Sequence, residues 1–99
     1  MPREVTILGL KYKVELVEVV SKYLPRIGEI NYIEQVIRID STLSEERKQQ
    51  TLLHEILHGI CEQLGLDEIN NDEKAISAIS IALHQVMTEL SFDFGGQKR

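Results

Sequence analysis

Apolar and polar residues alternate weakly over Glu4-Val-Thr-Ile-Leu8 and stop at Gly9, which predicts a short strand and a turn. Two periods compete over residues 11–20. Tyr12, Val14 and Leu16 alternate as in a strand, while Leu16, Val19, Val20, Tyr23 and Leu24 recur at helical spacing. The reading is a strand running into a short helix. Pro25 and Gly28 then punctuate the chain. From Glu29 to Asp40 the β-branched Ile30, Ile33, Val36, Ile37 and Ile39 are interleaved with polar residues, predicting a hairpin or two short strands, clearest at 35–40.

Thr42 followed by Glu45 forms a capping box, with Ser44 an equally good cap, so a long helix opens here. It runs to about Leu64, where Gly65 supplies a left-handed residue. A second helix starts near Asn70 to Asp72 and continues to about Ser91. Its stripe Ile76, Ile79, Leu83, Val86, Met87 and Leu90 is expected to face the core. Residues 93–99 read as a flexible tail. The expected fold is α+β: a small antiparallel or mixed sheet of about three strands, packed on the first long helix and a second long C-terminal helix.

With 99 residues the chain forms one core, taken as a single minimal domain over 1–92. A composition 42% hydrophobic and 27% charged excludes a disordered or collagen-like chain. Eleven basic against sixteen acidic residues give a net charge of −5, and the basic ones are scattered, which argues against direct nucleic-acid binding. One cysteine, Cys61, excludes an internal disulfide framework and fits a reducing compartment. No run approaches the ~20 apolar residues of a membrane span, so a cytoplasmic location without membrane partners is expected.

Within the first long helix stands His54-Glu55-Ile56-Leu57-His58, an H-E-x-x-H. Residues four apart share a helix face, so both imidazoles can reach one ion at Zn–N distances of about 2.0–2.1 Å. Glu55 is rotated by about 100°, cannot chelate comfortably beside them, and is placed instead to reach a water as general base. The plainer alternative is a pair of histidines satisfied by backbone carbonyls, with Glu55 paired to a cation.

Catalytic zinc takes three protein ligands and keeps an open position. Glu73, fifteen residues after His58 in the first turn of the next helix, is the chosen third ligand, although Asn70-x-x-Glu73 also reads as a capping box. His84 is the rival. It lies eleven residues beyond Glu73, roughly 16 Å along a straight helix, so both cannot bind one ion. Glu73, Ser77, Ser80 and His84 form a polar strip facing the metal helix or a cleft, with Ser77 placed to hydrogen-bond a ligand. Asp72 is a helix-start carboxylate or a replacement ligand. Cys61 reads as a buried apolar thiol, and Gly59 as a point where the second helix approaches closely.

The segment Leu52–Ile60, followed by Asn71-Asp72-Glu73-Lys74-Ala75-Ile76, resembles the ImmA/IrrE-type metallopeptidases of phages and mobile elements, which belong with the gluzincins. The likeness covers about residues 28 to 90. It implies one zinc ion held by His54, His58 and Glu73, with Glu55 as general base. Some gluzincins place an aspartate four residues after the ligand glutamate, where this chain has Ser77. No residue stands out as the oxyanion donor; Tyr12, Tyr23, Tyr32 and His84 are the candidates.

The expected function is a zinc-dependent peptidase acting on a protein or peptide substrate such as a repressor, with the substrate extended along an exposed strand edge, for which 35–40 is the candidate. The competing expectations are an inactive, metal-stabilised binding module of a mobile element and a plain α+β domain without metal.

Overall fold

The computed structural model describes residues 1–22 and 26–90. Tyr23, Pro25, the end of the second helix at Ser91 and the expected tail at 93–99 lie outside the described residues. The fold is α+β, with strands β1 (Glu4–Ile7), β2 (Leu10–Val17), β3 (Gly28–Asn31) and β4 (Val36–Asp40), followed by helices α1 (Glu45–Leu64), α2 (Asp67–Asn70) and α3 (Glu73–Glu89). The sheet is mixed and has four strands rather than about three, in the order β1-β2-β4-β3.

A tight turn joins β1 to β2 through Leu8 and Gly9, at φ 46° and 92°, where glycine enters the left-handed region freely. β2 remains strand as far as Val17, and residues 18–22 contain no helix. Leu16 and Val17 are drawn into a parallel ladder opposite Ile39 and Asp40, and that pairing overrides the helical spacing. β3 and β4 form the expected hairpin, with Ile30 opposite Ile37. Asn31 Oδ1 accepts from the backbone of Ile33 and Glu34 in the turn, which leaves Ile33 in solvent.

Ser44, not Thr42, caps α1: its hydroxyl accepts from Arg47 N. Thr42 is bound instead to Asp40, whose Oδ1 accepts from both its backbone N–H and its hydroxyl. Glu45 and Glu46 in the first turn complement the helix dipole. The helix ends as expected at Gly65, φ 68°, whose N–H closes onto Cys61 and Glu62.

α1 lies between the sheet and α3. Its inner face joins Ile7, Tyr12, Ile37, Ile39 and Leu52 in the core. Gly59 allows a close approach, but of the sheet rather than of the second helix. A Cβ there would stand 2.8 Å from Ile7 Cδ1 and 3.1 Å from Ile30 Cδ1.

α3 touches α1 and α2 and does not reach the sheet. The expectation for its apolar stripe is therefore overturned at four of its six positions, and holds at Ile76. Ile76, Ser80 and His84 are the buried positions, while Ile79, Leu83, Val86 and Leu90 are exposed. The polar strip packs on α1 because α1 offers polar partners there. His84 Nε2 is 2.8 Å from Gln49 Oε1. Cys61 is a buried free thiol, as expected.

Candidate metal centre and cleft

Two turns of α1 carry His54, Glu55 and His58, and the opening of α3 brings Glu73 back over them. The short helix α2 makes this return possible. Because it intervenes, the cap of α3 is Asp72, whose carboxylate accepts from Ala75 N at 3.0 Å. Glu73 is thus the first helical residue rather than the third, and its carboxylate reaches the histidines instead of closing a capping box.

Glu73 Oε1 lies 2.9 Å from His54 Nε2 and 3.0 Å from His58 Nε2. One ligand atom from each of the three residues fits within 4.8 Å of the others. Ligand atoms on a tetrahedral zinc stand about 3.3 Å apart, given bonds near 2.0–2.1 Å, so this triangle is close to closing on an ion.

The outer nitrogens of the rings are also engaged. His58 Nδ1 donates to Asn70 Oδ1 at 2.6 Å, and the Asn70 amide NH₂ faces Glu62 Oε1 at 3.5 Å, which fixes the amide's orientation. With the proton on Nδ1, a neutral His58 presents a lone pair toward the Glu73 carboxylate. Such an arrangement needs a cation or a second proton between the two. Ser77 Oγ lies 3.4 Å from His54 Nδ1, so the serine occupies the supporting position considered for it.

The electrostatics follow from this crowding. Burial pulls the His54 imidazole below its ordinary value, against the charge of Glu73. Burial acts the same way on His58, but hydrogen bonds to Asn70 and Glu73 and the nearby carboxylates outweigh it, leaving the ring raised. Burial pushes Glu73 up, but the two histidines prevail and hold it low. Glu55 is 7% exposed, and burial drives its carboxyl up to about 7, with the charge of His58 only partly opposing.

Glu55 faces β3, and the contact explains Gly28. A Cβ at Gly28 would fall 2.5 Å from Thr51 Cγ2 and 3.2 Å from Glu55 Oε2. Gly28→Ala is accordingly expected to destabilise the protein by about 1–3 kcal/mol, read from the urea midpoint. An unchanged midpoint would show that β3 gives way without cost.

These groups line an open cleft of about 650 Å³, with β3 on one side, α1 as its floor and the start of α3 on the other side. The expected substrate edge at 35–40 is corrected here. β4 is paired on both sides, and the free edge beside the cleft belongs to β3. Of the oxyanion candidates, Tyr12 is buried in the core and His84 is held by Gln49, while Tyr32 lines the cleft with its hydroxyl donating to the His58 carbonyl at 3.4 Å. Asp72 is a cap, and His84 stands outside the His54, His58, Glu73 group.

Asn70 is the member of the site that sequence reasoning missed. Its signal was present in the Asn70-Asn71-Asp72-Glu73 run, but a capping box absorbed it. Asn70→Ala is expected to weaken zinc binding about 10–100-fold by freeing the His58 ring, measured by competition with a chelating dye. Unchanged affinity would remove Asn70 from the site.

No curated protein and no solved structure matches the chain significantly. Among the described residues no helix is long and apolar enough to cross a membrane. Residues 12–93 match the Peptidase_M78 family, described as the IrrE N-terminal-like domain, which covers the cleft, the H-E-x-x-H helix and Glu73 alike; the chain belongs to this family.

Proposed function

We propose that the chain is a zinc-dependent peptidase, with His54, His58 and Glu73 as the metal ligands and Glu55 as the general base. The observation that carries this reading is the meeting of two imidazole Nε2 atoms on one carboxylate oxygen, at 2.9 and 3.0 Å, beside a buried glutamate that does not join them. A dication held by one carboxylate and two neutral imidazoles would retain about one unit of positive charge, enough to lower the pKa of water toward about 7 and to polarise a carbonyl.

Glu55 supplies the proton chemistry. It is the group placed to take a proton from the attacking water and return it to the departing amine. Its burial against Thr51 and Gly28 holds it in one orientation. Asn70 fixes the tautomer of His58, leaving Nε2 for the ion. The edge of β3 offers backbone groups to an extended peptide without demanding a particular sequence. A protein segment, including an exposed stretch of a repressor, is the class of substrate that fits, and the cytoplasm is the compartment that suits a buried free thiol.

The test is cleavage of a mixed peptide library by protein carrying one zinc. Activity is expected to disappear on chelation and to return with stoichiometric zinc. Cleavage that persists in the stripped protein would contradict the reading.

A further inference from the structure

The cleft is electrically divided. Its carboxylates Glu55 and Glu73 gather with the histidines, and the third acidic residue lining it, Glu29, has its carboxylate engaged by Arg38 Nη1 at 3.1 Å. The cleft is also lined by Arg26, just before β3, and Arg47, in the first turn of α1. Both are exposed, and neither guanidinium forms an ion pair with a carboxylate among the described residues. In a chain of net charge −5, two uncommitted arginines converging on one groove amount to a local reversal of sign.

Gly28 lies against Thr51 and Glu55, and Ile30 lies against Gly59, so β3 and α1 run in the same sense past the site. Arg26 and Arg47 therefore share one end. Arg47 precedes His54 by seven residues, about 10 Å along the helix, which an extended peptide spans in about three residues. A peptide added antiparallel to β3, the more stable sense of pairing, runs its C-terminal side toward that end.

We propose that the site, if it acts as the peptidase described above, selects substrates bearing a carboxylate within about three residues on the C-terminal side of the scissile bond, held by Arg26 and Arg47. The ligand is an acidic peptide, recognised through guanidinium forks that match a carboxylate's geometry.

The experiment uses the full chain loaded with zinc and pairs of otherwise uncharged, end-blocked peptides that differ by Glu or Gln at each of the three positions on either side of the cleaved bond. The Glu peptide is expected to show about fivefold higher kcat/KM than its Gln partner on the C-terminal side, with the gap shrinking as salt is raised. The ratio should fall to near one in Arg26→Gln/Arg47→Gln and to an intermediate value in Arg26→Lys/Arg47→Lys, which keeps the charge but loses the fork. Equal rates for Glu and Gln, or a preference that survives removal of both arginines, would overturn the proposal.

The same peptides are titrated onto zinc-loaded Glu55→Gln by fluorescence anisotropy, which separates the two readings. Tighter binding of the Glu peptide without cleavage by the wild type would leave the specificity standing and end the peptidase. Equal binding, or binding of neither peptide, would end the specificity.

Discussion

Glu55→Gln is expected to keep one zinc per chain while losing peptide hydrolysis by about two to four orders of magnitude. The amide preserves the shape of the side chain against Gly28 and Thr51 but cannot take a proton. Because Glu55 is absent from the metal-ligating group, affinity for the ion should barely change. Equal activity in both proteins would remove Glu55 as the base.

The same substitution has a second, opposite effect on stability. An unfolded glutamate gives up its proton near 4.5, whereas the folded Glu55 holds its proton to about 7. Between those values the folded state binds more protons than the unfolded one, so the metal-free protein loses stability as pH rises through this window. At pH 8 a shift of this size corresponds to about 3 kcal/mol at most. Metal-free Glu55→Gln should therefore be more stable than the metal-free wild type at pH 8 and nearly equal to it at pH 4, as read by denaturant midpoints. A pH-independent difference would mean that burial of the carboxylate is not its cause. Stability given up at the reacting group is the expected cost of a base held away from water.

Glu73→Ala is expected to lose zinc far more severely than the roughly 10–100-fold assigned to loss of Asn70, because it removes a ligand rather than a ligand's support. A clear readout is thermal. An ion present at a hundred times its dissociation constant adds about 2.7 kcal/mol, which in a domain of this size raises Tm by roughly 10 °C or more. The wild type should show this rise on adding zinc and Glu73→Ala should not. Glu73 lies on the first turn of α3 and remains largely exposed, so its loss leaves the packing of Ile76, Ser80 and His84 on α1 intact. A variant that still gains the full zinc-dependent rise would move the third ligand elsewhere.

The pattern of apolar positions made the two long helices and the β3–β4 hairpin legible, because each carries its own local signal: Ser44 and Gly65 around α1, and the dense β-branched residues Ile30, Val36, Ile37 and Ile39 in the hairpin. The motif at His54–His58 was legible because a helix fixes which residues share a face, and the return of Glu73 because it opens the next helix beyond the stop at Gly65. What was hidden depended on partners distant in sequence. The parallel pairing of β2 with β4 turned an ambiguous stretch into strand and made 35–40 an interior strand. The stripe on α3 misled because periodicity reports that a helix has two faces but not which of them meets a neighbour; here Ser80 and His84 are buried and Leu83 is not. Asn70 escaped because a side chain near a helix start is read first as a cap. Only the extra turn of α2 shows that its amide belongs to His58.

The proposed grip of three side chains on one ion is tested most directly by anomalous diffraction at the zinc edge from crystals of the zinc-loaded protein. One strong peak is expected per chain, about 2.0–2.2 Å from Nε2 of His54, Nε2 of His58 and a carboxylate oxygen of Glu73, with Glu55 outside bonding distance. Absence of a peak between these three residues, or a peak held by other side chains, would contradict it.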